Sequence, residues 1–201
     1  NLKVCPFVDW GCKELGCLEV VKALGKKDLM VLIAKGCTSM TDQAMVDLCE
    51  SQRENPTLKK VIIGEMNHLG TDGTFAMLKL MCLEGLEDGI LNLHDFSKVE
   101  VHQRLKDLRM SSTLTCFSAS GCLMGPEGAQ AMVQAMTPMV NLTNIDFSNN
   151  ALLAEGVIAM QPMLLANSSL KSLNLADNKM GNAGYESLAV SLQNCSELEK
   201  L

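Results

Sequence analysis

The sequence predicts an α/β solenoid, a curved stack of units with an inner parallel sheet and helices along the outside. Three observations predict it. Apolar residues recur with a period close to 28 residues, an Asn or Cys follows the apolar triplet at a fixed offset in most copies, and a glycine then commonly precedes a stretch with helical apolar spacing.

The period is plainest toward the C-terminus. Leu142, Ile145, Phe147, Asn150, Leu152 and Gly156 are followed 28 residues later by Leu170, Leu173, Leu175, Asn178, Met180 and Gly184, and Leu198 and Leu201 open a further copy. One period earlier stand Leu114, Phe117, Ala119, Cys122, Met124 and Gly128. The copy before that, Leu86, Gly89, Leu91, His94 and Phe96, is degenerate and carries Glu100 where the glycine belongs. Leu58, Val61, Ile63 and Met66 continue the series, with Leu69 and Gly73 displaced by one residue. Leu29, Leu32, Ala34 and Cys37 do likewise, with Met40 and Ala44 displaced, and Leu2, Cys5, Phe7, Trp10, Cys12 and Gly16 form the first copy. The starts at 2, 29, 58, 86, 114, 142, 170 and 198 are spaced by 27 to 29 residues, a register that unrelated apolar runs do not hold. That makes about seven repeats in one domain spanning residues 1–201.

Each slot has a physical reason. Positions 1, 4 and 6 of the unit send apolar side chains inward from a short strand, and strands of successive units pair in parallel. At position 9 the chain turns away, and an Asn or Cys there bonds backbone groups that burial would otherwise leave unpaired. Glycine at position 15 lets the helical half pack closely or enter its turn. Apolar residues at positions 19, 20 and 23, such as Met132, Val133 and Met136, form the inward face of a helix. A single unit leaves its flanks bare, so only stacking makes it stable.

This pattern, with a full helix per unit, resembles the leucine-rich-repeat proteins of the ribonuclease-inhibitor subtype along essentially the whole chain. The resemblance implies a horseshoe that binds other proteins on its concave sheet. That subtype includes the Ran GTPase-activating protein and the actin-binding end of tropomodulin, so a GTPase-activating regulator and a cytoskeletal binder are alternatives. No residue here matches a motif particular to either. Trp10, Met66 and His94 at position 9 depart from the family pattern. The chain begins one residue before a repeat and stops inside another without a polar cap, and reads as a piece of a longer solenoid or of a larger assembly.

Composition narrows the function. With 17 Lys+Arg against 23 Asp+Glu and a net charge of −6, the chain has no basic excess for nucleic acid. No run of about 18 apolar residues points to a membrane span. Nine cysteines at scattered repeat positions read as reduced thiols filling the core, which favours a cytoplasmic setting. Sequons at Asn141, Asn167 and Asn194 pull toward secretion, but an Asn-rich chain produces such triplets by chance.

No enzyme is expected. His94, Asp95 and His102 are the nearest approach to an acid–base or metal cluster, and they read as scattered turn residues. Phosphate-binding glycine motifs are absent, and no cofactor is expected. Among the cysteines, Cys116 is the one on the concave side and so the one to watch for reactivity. The outward strand positions carry the functional signal. Position 5 reads Pro6, Ile33, Ile62, Ile90, Ser118, Asp146, Asn174, and position 3 reads Val4, Val31, Lys60, Asp88, Cys116, Asn144, Ser172. In parallel strands, equivalent residues stand side by side, so Ile33, Ile62 and Ile90 form a ridge flanked by Val31, Lys60 and Asp88 and rimmed by Lys35 and Glu65. An apolar centre with a polar rim is the composition of a protein contact site.

Overall fold

Because apolar residues alternate with outward ones along each strand, one face of the sheet buries against helices and the other stays open. The computed structural model describes residues 3–8, 19, 23, 28–53, 55–66 and 68–201, and Leu2, Trp10, Cys12 and Gly16 of the first copy lie outside them. Seven strands form one parallel sheet in chain order: β1 (Val4–Val8), β2 (Val31–Lys35), β3 (Lys60–Gly64), β4 (Asp88–Asn92), β5 (Cys116–Ser118), β6 (Asn144–Asp146) and β7 (Ser172–Asn174). Six α-helices lie between and after them among the described residues: α1 (Asp42–Gln52), α2 (Thr71–Leu80), α3 (Val99–Leu105), α4 (Gly125–Ala135), α5 (Leu153–Ala166) and α6 (Gly181–Ser191). This is the α/β repeat solenoid expected from the period.

The register follows the repeat. Val4, Val31, Lys60, Asp88, Cys116, Asn144 and Ser172 are successive partners, as are Pro6, Ile33, Ile62, Ile90, Ser118, Asp146 and Asn174. Inward residues at positions 1, 4 and 6, such as Leu58, Val61 and Ile63 or Leu142, Ile145 and Phe147, are buried in one continuous core. The methionines at 124, 132, 136, 160 and 180 are buried there too, so they fill the core. Gly89 takes an inward slot used elsewhere by larger residues because Met81 already fills the space, its sulfur 2.5 Å from where a Cβ would stand. The glycine at position 15 serves close packing. At Gly184 a Cβ would lie 2.6 Å from the Met180 Cβ, and at Gly156 one would lie 3.3 Å from Ala129 in the preceding helix. The degenerate fourth copy, with Glu100 in that slot, forms α3, a helix of only 7 residues.

The turn at position 9 differs between the halves. Asn150 and Asn178 are both 1% exposed. The Asn150 amide donates to the carbonyls of Ala119, Phe147 and Ser148 at 2.7, 3.0 and 3.1 Å, and its oxygen accepts from the Cys122 N–H at 2.9 Å. Asn178 repeats this one unit on, donating to Phe147, Leu175 and Ala176 and accepting from the Asn150 N–H at 3.0 Å. The result is a ladder of side-chain amides that ties each repeat to the one before. Cys122 extends it with a 2.9 Å contact from its thiol to the Leu91 carbonyl. At the other end of the repeat Asn167, fully buried, donates to Met139 and Met163 and accepts from the Leu142 N–H. Its side chain is therefore closed to glycosylation in the folded protein, and this removes one of the three sequons as a sign of secretion.

Just before the ladder, the residue at position 8 takes a left-handed backbone in six successive repeats: Gly36, Glu65, Leu93, Gly121, Asn149 and Asp177, with φ between 56° and 66°. Glycine adopts this freely and Asn and Asp tolerate it, whereas Leu there is strained by roughly 1–2 kcal/mol.

Candidate functional site

The open sheet face places the expected contact residues side by side. Ile33, Ile62 and Ile90 are direct partners on β2, β3 and β4, each half-buried, so they form one ridge. Val31, Lys60 and Asp88 form the parallel row two residues earlier. Lys60 and Asp88 turn out to be joined: the ammonium lies 2.8 Å from the carboxylate across adjacent strands. Half-exposed as both are, the pair adds little stability, but it cancels both charges at the edge of the ridge. Lys35, the last residue of β2, and Glu65, just after β3, are exposed at the rim.

Past β4 the same face becomes a polar network. The Asn92 amide oxygen accepts from the Ser118 hydroxyl at 2.7 Å and from the Ser120 N–H at 2.9 Å, and the Ser120 and Ser148 hydroxyls meet at 2.8 Å. Asp146 accepts from the N–H and hydroxyl of Ser148. These side chains are spent on one another. In the apolar half only the Lys60–Asp88 pair is so used, and the isoleucines are not.

The chemistry-bearing candidates resolve into structural roles. His94 is 1% exposed and stacks on the Phe96 ring, 5.9 Å between centroids. The backbone of Ile63 and Met66 approaches its ring and favours the protonated form, but neither ring nitrogen reaches good hydrogen-bond geometry. Burial pushes its pKa down to about 4, so it is neutral at pH 7. His102 bonds the Phe96 carbonyl through Nε2, and Asp95 accepts from the hydroxyl and N–H of Ser97. No group of three or more His, Cys, Asp or Glu side chains suited to a metal occurs among the described residues. Cys116 lies where expected, half-buried on the open face, but burial raises its thiol pKa and Asp88 raises it further. A raised pKa means less thiolate, so the position does not make a ready nucleophile.

A groove of about 800 Å³ opens beside the C-terminal ends of α1 and α2, lined by Cys49, Arg53, Lys79, Cys82 and Gly85 among others. Burial drives the Cys49 thiol far above its usual range. The groove lies on the helical side of the molecule and shares no residue with the ridge. No helix among the described residues is long and apolar enough to cross a membrane.

Sequence reading missed two features here. The Lys60–Asp88 pair was readable, since opposite charges at one position of neighbouring repeats must face each other. The other is a set of exposed leucines where the chain leaves β4, β5 and β6, at Leu93, Leu123 and Leu153, the last being the first residue of α5. They fall at three different repeat positions, so a comparison slot by slot passes over them. In comparison with known proteins, a family model described as Leucine Rich repeat matches residues 166–189, which run from the end of α5 through β7 into α6.

Proposed function

We propose that this leucine-rich-repeat protein is a non-enzymatic recognition module that binds another protein through the open face of β2–β4, with Ile62 at the centre of contact. The carrying observation is the Ile33–Ile62–Ile90 ridge, three half-buried β-branched side chains in direct register. Fold stability does not demand them, because the same slot holds Ser118, Asp146 and Asn174 in the following strands. An apolar centre beside a charge-neutralised pair and an exposed polar rim suits a desolvating contact. The 28-residue spacing and the helix in each unit favour the ribonuclease-inhibitor subtype, and the cysteine usage favours a cytoplasmic setting.

The test is a comparison of two substitutions at one strand position. Ile62 and Asn174 both point away from the core, so both variants are expected to fold, checked by their melting temperatures. Each is used to capture proteins from lysate of the source cells, with retained partners quantified by mass spectrometry. Ile62→Asp is expected to weaken the principal partner by about 2 kcal/mol or more, and Asn174→Asp to leave it in place. Retention of every partner by Ile62→Asp, at unchanged melting temperature, overturns the proposal.

A further inference from the structure

The loops that leave the sheet carry a second apolar feature, separate from the ridge. Leu93 is 43% exposed, Leu123 61% and Leu153 40%, and all three hold a left-handed backbone with φ between 51° and 58°. Both properties are unfavourable for leucine: the side chain sits in water and the backbone is strained. Neighbouring repeats show that the fold does not require leucine at these places. Gly121 occupies the slot of Leu93, Ala151 the slot of Leu123, and both Gly125 and Gly181 the slot of Leu153, each with a left-handed backbone.

The three loops form one continuous rim. The Leu93 N–H bonds the Ser120 carbonyl, Gly121 bonds Ser148 and Gly125 bonds Asn150, so each loop is tied to the next. The Leu93 side chain lies over Gly121, its Cδ2 2.7 Å from where a Cβ would be. Stepping two positions along the loop at each repeat, the leucines run obliquely across the rim. The charge around them is mainly acidic, with exposed Lys179 on the loop after β7 the exception. Glu127 and Glu155, in the first turns of α4 and α5, are exposed and form no ion pair among the described residues. Asp95 lies on the loop of Leu93, and the nearby Lys98 has its ammonium engaged by the Leu69 carbonyl at 3.1 Å.

We infer that this rim docks a basic amphipathic segment of a partner protein, its apolar stripe on Leu93, Leu123 and Leu153 and its Lys or Arg residues against Glu127 and Glu155. Strained exposed leucines give the stripe, and the unpaired carboxylates select the charge of what covers it. This docking is independent of the ridge on the sheet face.

The test uses a synthetic helical peptide with leucine on one face and lysine on its flanks, titrated into the purified protein by calorimetry, beside a peptide with glutamate in place of lysine. A triple variant, Leu93→Gly, Leu123→Ala and Leu153→Gly, replaces each leucine by the residue a neighbouring repeat uses in that slot. It is expected to melt no lower than the parent and to bind the lysine peptide at least about tenfold more weakly, a loss of about 1.4 kcal/mol. Ile62→Asp is expected to leave that affinity within about twofold, and the glutamate peptide to bind at least about tenfold more weakly than the lysine one. Unchanged peptide affinity in the triple variant overturns the inference, as does equal binding of the two peptides. A melting temperature lowered by more than about 5 °C would assign the leucines to the fold instead. Self-association of the parent in light scattering, lost in the triple variant, would make the occupant a second copy and also overturn it.

Discussion

At Asn150 and Asn178 a buried amide takes three carbonyls and at least one N–H, whereas in the same slot Met66 offers no donor and His94 makes no well-formed hydrogen bond. The strands differ to match. In β1–β4 each strand runs for 5 residues, and in β5–β7 each runs for 3. Where asparagine is present, its amide binds the Ala119 and Phe147 carbonyls, which follow the short strands directly. Where it is absent, the residues at that level, Ala34, Ile63 and Leu91, stay paired within the sheet. The C-terminal half is held by side-chain bonds and the N-terminal half by longer backbone pairing. The half without the ladder is also the half whose open face is apolar.

That contrast can be broken most forcefully at Asn150. Asn150→Leu leaves the Ala119 carbonyl and the Cys122 N–H buried without a partner, while Phe147 keeps the Asn178 amide, and is expected to cost about 4 kcal/mol, read as a shift in the urea midpoint. A cost under about 1 kcal/mol would mean that the ladder is incidental.

The next effect depends on acid. An unfolded histidine binds its proton near pH 6.5, while buried His94 does so only near about 4. Between those values the unfolded chain holds more protons, so stability falls as pH is lowered through the window and changes no further below it. His68 opposes charge on His94 in the same direction. Relative to His94→Leu, the parent protein should lose on the order of 3 kcal/mol between pH 6.5 and 4, since each pKa unit corresponds to about 1.4 kcal/mol. Parallel curves for the two proteins would show that His94 is protonated without penalty.

The smallest effect has the opposite sign to the first. At neutral pH, His94→Leu removes two buried nitrogens that have no well-formed hydrogen bond, and is expected to stabilise by about 1 kcal/mol. One substitution, to Leu, in one slot of two repeats should therefore destabilise in one half and stabilise in the other. Chemical denaturation of both variants decides this.

Much of this was legible in the sequence because a repeat converts spacing into contact. Once Leu142 and Leu170 are matched, the pairing of Ile62 with Ile90 and the burial of Asn150 and Asn178 follow, and the structure has them so. What escaped depends on compensation between slots. Gly89 looks like a defect until Met81 is seen filling the gap, and Asn167 looks like a sequon until its amide is seen bonding Met139 and Met163. The left-handed backbone at Glu65 and Leu93 gave no signal of its own, since glycine marks that slot only at Gly36 and Gly121. The ridge was readable as a row of residues, but what it touches is not written in any period.

Native-state hydrogen exchange tests the division between the halves most directly, because it reads the opening of each amide separately. The N–H groups of Cys122 and Asn150, each held by an asparagine of the next repeat, are expected to exchange only through global unfolding. The N–H groups of Met66 and His94, which face His94 and the weakly accepting Cys122 sulfur rather than an asparagine in the following repeat, are expected to exchange through smaller openings at least about tenfold faster, or about 1.4 kcal/mol lower in free energy. Equal protection at the four amides, or greater protection at Met66 and His94, would contradict the account.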